Sequence, residues 1–176
     1  MNASKPRLVA LAAASMAGGL AVSAGAGHAQ TARAACTPGV RTVAGHNARV
    51  FCGPARATVR VGTKTLRFSG GECTRGAKWF NLNIGTVVLA ARTQPLPYFA
   101  VAVGQYLGAN PGSPAATKDG TYPKGLVVTR APGVVADLNG YATTNVKVTL
   151  SRHRTAGTFS GTTQFGGVHV SGSFSC

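Results

Sequence analysis

Only three carboxylates are available to this chain, Glu72, Asp119 and Asp137. Hydrolysis of a sugar bond needs two of them facing one another across the scissile bond. Their settings speak against that. Glu72 lies in Gly70-Gly71-Glu72-Cys73, which reads as a turn. Asp119 opens an Asp-Gly turn, and Asp137 sits between Ala136 and Leu138, just before Asn139-Gly140. A Ser–His–acid triad would have to draw on His46, His153 or His169, but no Gly-x-Ser-x-Gly elbow occurs. GVRTVAGHN, residues 39–47, lacks the Gly-Lys-Ser/Thr ending of a phosphate loop. Neither Cys-x-x-Cys nor His-x-x-x-His spacing is present for a metal. We expect no catalytic residue, no cofactor and no metal site.

The residues that could bind are of two kinds. Trp79 is the single tryptophan, and Asn81 and Asn83 follow it at strand spacing. An exposed indole beside two amides can stack on a sugar ring, although an indole packed beneath a loop is the commoner arrangement and the one expected. The second kind is cationic. The formal net charge is +15, and Arg60, Lys64, Arg67, Lys147, Arg152 and Arg154 are the candidate anion-binding residues. High charge serves solubility first. Its second use is attraction to an anionic cell-envelope polymer or lipid surface. No run of five or six basic residues occurs, and aromatic residues are too sparse for a base-stacking platform, so nucleic acid is not expected as a partner.

The first residues explain where such a protein would work. Lys5 and Arg7 precede Leu8-Val9-Ala10-Leu11 and an alanine-rich stretch, the pattern of a secretory signal peptide. Ala29 is the expected cleavage point, with Ala34 second, and residues 1–29 are assigned to the leader. The apolar part is too short and too glycine-rich to span a membrane, and no later segment could. Without Lys5 and Arg7 the charge falls by two, from +15 to +13. Export permits disulfides. Cys36, Cys52, Cys73 and Cys176 allow three pairings, of which Cys36–Cys52 with Cys73–Cys176 is favoured. Arg33 stands where a lipoprotein motif has leucine, so a disulfide at Cys36 is expected rather than an acyl chain.

The elements that must position these side chains read as strands throughout. The last twenty residues alternate apolar and polar about Gly166-Gly167. A two-residue loop there would pair Phe165 with Val168, Thr163 with Val170 and Phe159 with Phe174. A second hairpin turns at Gly62-Thr63, pairing Val59 with Leu66, Ala57 with Phe68, Arg60 with Thr65 and Thr58 with Arg67. Phe80, Leu82 and Ile84 alternate with Trp79, Asn81 and Asn83. Tyr98–Gly104, Leu126–Thr129 and Thr144–Leu150 alternate likewise, and Gln105–Pro114 is a loop and the expected mobile segment. Pro132-Gly133 and Asn139-Gly140 mark turns. The expected fold is all-β, an antiparallel two-sheet sandwich or flattened barrel of about eight strands, stapled by disulfides. Residues 30–50 form a looser N-terminal arm, and 51–176 a single β domain.

The segments GGEC…NLNIG, ATKDGTY and the closing VSGSFSC together resemble the mycobacterial lipoprotein antigen family of actinobacterial envelope proteins, over residues 70–176. The matching residues are Cys73 with Ile84-Gly85, Lys118-Asp119-Gly120, and Ser173-Phe174-Ser175-Cys176. The resemblance implies a Cys73–Cys176 bridge, a cell-envelope location and no catalytic residues. The chain departs from that pattern in lacking a lipidation motif and in carrying Cys36 and Cys52.

Overall fold

The computed structural model describes residues 36–89, 94–105, 113–140, 142 and 145–176. The leader, its cleavage sites, residues 30–35 and most of the Gln105–Pro114 loop lie outside the described residues.

Thirteen strands follow in chain order: β1 (Gly39–Val43), β2 (His46–Val50), β3 (Ala55–Val61), β4 (Lys64–Arg75), β5 (Trp79–Val88), β6 (Tyr98–Gly104), β7 (Gly120–Tyr122), β8 (Gly125–Ala131), β9 (Val134–Val135), β10 (Leu138–Asn139), β11 (Lys147–Ser151), β12 (Ala156–Thr162) and β13 (His169–Ser175). Several are only two or three residues long, which is why the sequence suggests fewer. All belong to one antiparallel sheet, in the order β10-β8-β6-β5-β4-β3-β13-β12-β11-β7. The sheet curls into a half-barrel, so the pairing gives one continuous ladder where the sequence left two stacked sheets or a flattened barrel. The curl is visible in the chain itself. Pro123 and Lys124 alone join β7 at one end of the order to β8 near the other.

Period-two alternation sends one face of most strands inward; β1 buries none of its residues. Val59, Phe80, Leu82, Ile84, Phe99, Val101, Val103, Val127, Val148, Leu150 and Val170 are fully or almost fully buried. Phe99 of β6 stacks on Phe68 of β4 at 5.4 Å and meets Phe159 of β12 at 5.5 Å across the interior. Thr129 is the one buried polar intruder without a partner for its side chain among the described residues: its hydroxyl points into this core with no hydrogen bond.

The β3–β4 hairpin has the expected turn and register. The last hairpin keeps its expected faces but not its register. Gly157 lies opposite Phe174 and Phe159 opposite Gly172, a slip of two residues from the Phe159–Phe174 pairing. The reason is steric. Each phenylalanine ring lies over the glycine across from it, with a ring carbon 2.5 Å from where a Cβ would stand. A slip of two preserves which side chains face inward. It also lengthens the loop, which Thr163 closes: its hydroxyl accepts from Val168 N–H and donates to the Phe165 carbonyl. Phe165 is therefore 84% exposed rather than packed against Val168.

Two further expectations change. Gly70-Gly71-Glu72-Cys73 is not a turn but the middle of β4. Gly70, at φ 83°, is the extra residue of a bulge, since Arg56 pairs with Ser69 and Ala55 with Gly71. Residues 39–50 are not a loose arm. They form the β1–β2 hairpin, and β2 pairs with the far end of β5. The disulfides are Cys36–Cys52 and Cys73–Cys176, as favoured. Cys36 is thereby consumed by Cys52. Cys73–Cys176 links β4 to the end of β13, the two strands flanking β3. Its loop, 103 residues in separation, stabilises by about 4–5 kcal/mol in the chain-entropy picture, against about 3 for the separation of 16.

Candidate functional site

The inward alternation of β3, β4 and β11–β13 leaves their opposite positions on one outer face. The registers align these in rows. One row runs Thr65, Arg60, Ser171, Ser160, Lys147 from β4 to β11. The next runs Arg67, Thr58, Ser173, Thr158, Thr149, Thr121 from β4 to β7. A third runs Ser69, Arg56, Ser175, Ala156, Ser151. These sixteen positions carry three arginines, one lysine, eleven hydroxyls and an alanine, and no carboxylate.

Arg67 is the diagonal neighbour of both Arg60 and Arg56, at about 7–8 Å between Cα atoms. Lys147 stands three strands from Arg60, about 14 Å away at normal strand spacing. Thr121 and Thr149 share a hydrogen bond of 2.9 Å at the β7 end. A shallow depression of about 160 Å³ opens between Arg56, Thr58, Ser173 and Ser175. Such a face can meet a row of anions with guanidinium groups and offer hydroxyls to the intervening oxygens.

The six cations singled out in the sequence thus separate. Arg60, Arg67 and Lys147 share the outer face. Lys64 stands at the tip of the β3–β4 hairpin, and Arg152 is exposed in the β11–β12 turn. Arg154 is turned inward. One nitrogen of its guanidinium, Nη1, donates to the carbonyls of Gly76, Ala116 and Trp79 at 2.9, 2.8 and 3.3 Å, so it acts as a structural clasp away from that face. Arg56, which is not among those six, joins the face. Its alternation with Thr58 and Arg60 was the available signal.

Arg152, His153 and Arg154 all adopt positive φ, 54°, 57° and 60°. Left-handed backbone costs an ordinary residue roughly 1–2 kcal/mol. The surroundings offset this: Asp119 accepts from His153 N–H at 3.0 Å and Arg154 N–H at 2.7 Å, and Arg75 donates to the His153 carbonyl at 2.8 Å. The bond from His153 is the chief reason the Asp119 carboxyl is held below its ordinary pKa; the Arg154 N–H and the two nearby charges act the same way, and desolvation opposes them.

A second feature lies on the outer face of β4, β5, β6 and β8. It is a groove of about 550 Å³ lined by Trp79, Asn81, Asn83, Tyr98, Phe51, Glu72, Arg49 and their neighbours. Trp79 is half-buried, its ring resting where a side chain on Gly76 would stand. The indole thus packs against the β4–β5 turn at Gly76 and also lines the groove. The Tyr98 hydroxyl donates to Asn83 Oδ1 at 2.6 Å, and Arg49 lies 5.2 Å above the Phe51 ring.

Of the carboxylates, Asp137 forms a two-pronged ion pair with Arg130, Asp119 holds the left-handed turn, and Glu72 lines the groove. His46, His153 and His169 are exposed on β2, the β11–β12 turn and β13. Comparison of the chain with protein-family models, curated proteins and solved structures returns no match.

Proposed function

We propose that this protein is an exported, non-catalytic binding module that docks on an anionic polymer of the cell envelope through the face bearing Arg56, Arg60, Arg67 and Lys147. The observation that carries this reading is the composition of that face: guanidinium groups and hydroxyls in register across six strands with no carboxylate among them. Two disulfides suit an oxidising compartment, and the leader pattern of residues 1–29 suits export with cleavage after Ala29. The envelope location implied by the resemblance of residues 70–176 to lipoprotein antigens belongs to the same reading.

A polymer fits better than a bilayer. The face is hydroxylated and offers no large apolar side chain to the acyl boundary. The test is co-sedimentation with an insoluble wall fraction rich in phosphodiester or uronate groups, beside the same fraction stripped of them and beside anionic lipid vesicles. Retention by the anionic fraction alone supports the proposal. Equal retention by the stripped fraction, or preference for vesicles, rejects it.

A further inference from the structure

The geometry points to a second, independent site: the outer groove of β4, β5, β6 and β8 binds a neutral oligosaccharide chain. Nothing in the docking proposal above uses this groove.

The cross-section of the groove is two-sided. The registers set Thr74, Asn81, Ala102 and Leu126 in one transverse row, and Glu72, Asn83, Ala100 and Val128 in the next. The β4–β5 side therefore offers a hydroxyl, a carboxylate and two amides. The β6–β8 side offers alanine, leucine and valine. A pyranose ring has the same division, hydroxyls at its edge and C–H groups on its faces. Small alanines on the floor let such a ring come close to the sheet.

The ends are aromatic. Trp79 sits at one, and at the other Tyr98, which pairs with Gly85, and Phe51, 6.0 Å from Tyr98. From the Trp79 row to the Gly85 row is six residues of strand, about 20 Å. That length exceeds one sugar ring, so the groove is shaped for a chain, with aromatic platforms at its two ends and amides between. The bond from Tyr98 fixes the Asn83 amide with its oxygen engaged and its NH₂ as the donating end. The volume of about 550 Å³ falls within the roughly 300–1,000 Å³ usual for ligand clefts.

Charge sets the class of sugar. Among the described residues, Arg49 and Glu72 are the only ionic side chains lining the groove, one of each sign. On a chain of net charge +15, this is a locally neutral site, and Glu72 beside Asn83 opposes an acidic sugar.

Trp79 is the only tryptophan, so emission excited selectively at the indole reports on this groove. The probes are neutral oligomers of glucose, of mannose and of N-acetylglucosamine, each as a monomer and as a longer chain. At least one series is expected to give a saturable change in Trp79 emission, tighter for the longer oligomer and insensitive to added salt. Asn81→Ala, and separately Thr74→Ala on the neighbouring strand, are expected to weaken it at least tenfold while leaving emission and thermal unfolding of the free protein near wild type. Replacing Arg56, Arg60 and Arg67 together by serine is expected to leave this sugar response unchanged. Silence from all three series overturns the site. So does a response that Asn81→Ala and Thr74→Ala leave intact, or one that salt or the triple serine variant abolishes, which would place the sugar on the basic face.

Discussion

The backbone N–H of Arg154 donates to Asp119 Oδ1 at 2.7 Å, while the guanidinium of the same residue reaches the carbonyls of Gly76, Ala116 and Trp79. One residue thus ties the left-handed β11–β12 turn to the start of β5 and to the segment before β7. Arg154→Ala removes the charged donor from three partly buried carbonyls, of which only that of Trp79 keeps a backbone donor among the described residues, the Gly76 N–H, and is expected to destabilise the fold by about 2 kcal/mol, the scale of hydrogen bonds to a charged group. Arg60→Ala, on the open face, is expected to cost under about 0.5 kcal/mol. Urea unfolding of the two variants separates the clasp from the candidate ligand residue.

Asp119 gives the fold an acid dependence of known sign. Its carboxyl is held below the ordinary range chiefly by the N–H of His153. A depressed carboxyl contributes stability that is fully present above its unfolded pKa and lost as pH falls through its folded value. Asp119→Asn is therefore expected to be less stable than wild type by a constant amount near neutrality. That gap narrows below about pH 4. Denaturant midpoints across a pH series check this, and a gap that widens in acid would contradict it.

The Thr129 hydroxyl is buried in the core without a partner. Its desolvation is uncompensated, and valine has nearly the same shape. Thr129→Val is expected to raise stability by about 1 kcal/mol, seen as a higher midpoint in thermal or urea unfolding.

Alternation told which side chain faces which way, and it did so for almost every strand. Phe80, Leu82 and Ile84 are inward and Trp79, Asn81 and Asn83 outward, as their order requires. Register was harder. At Gly62-Thr63 the tight turn fixes it, and the pairing follows. In the last hairpin, the contact of each phenylalanine with a glycine across the ladder decides it, and no local turn signal encodes that contact. The difference has a measurable consequence. Phe165→Ser is expected to shift stability by under about 0.5 kcal/mol because the ring is exposed. Gly172→Ala, which drives a methyl into the Phe159 ring and the Thr58 carbonyl, is expected to cost at least about 2 kcal/mol. A two-residue loop at Gly166-Gly167 predicts a large loss for Phe165→Ser instead.

The sites were less visible than the strands for a related reason. Arg56, Arg60, Arg67 and Lys147 come from three strands, and their sharing of one face rests on the order β4-β3-β13-β12-β11, which local periodicity does not specify. Arg154 shows the converse. As sequence it is one basic residue in Arg152-His153-Arg154, and only the positive φ of all three residues turns its side chain toward the carbonyls it holds. The groove depends on β5 lying between β4 and β6, which sets Glu72 and Ala100 on either side of Asn83.

The most direct test of the docking face is the salt dependence of binding to a soluble anionic polymer, polyphosphate or a uronate polysaccharide, for wild type and for the chain with Arg56, Arg60 and Arg67 replaced by serine. The account predicts that wild-type affinity falls steeply with salt and that the triple variant binds at least tenfold more weakly. Its log–log slope should be smaller by about two to three, each phosphate contact on nucleic acid backbones carrying a slope of roughly 0.7–0.9. Equal affinity and equal slope for the two proteins would contradict it.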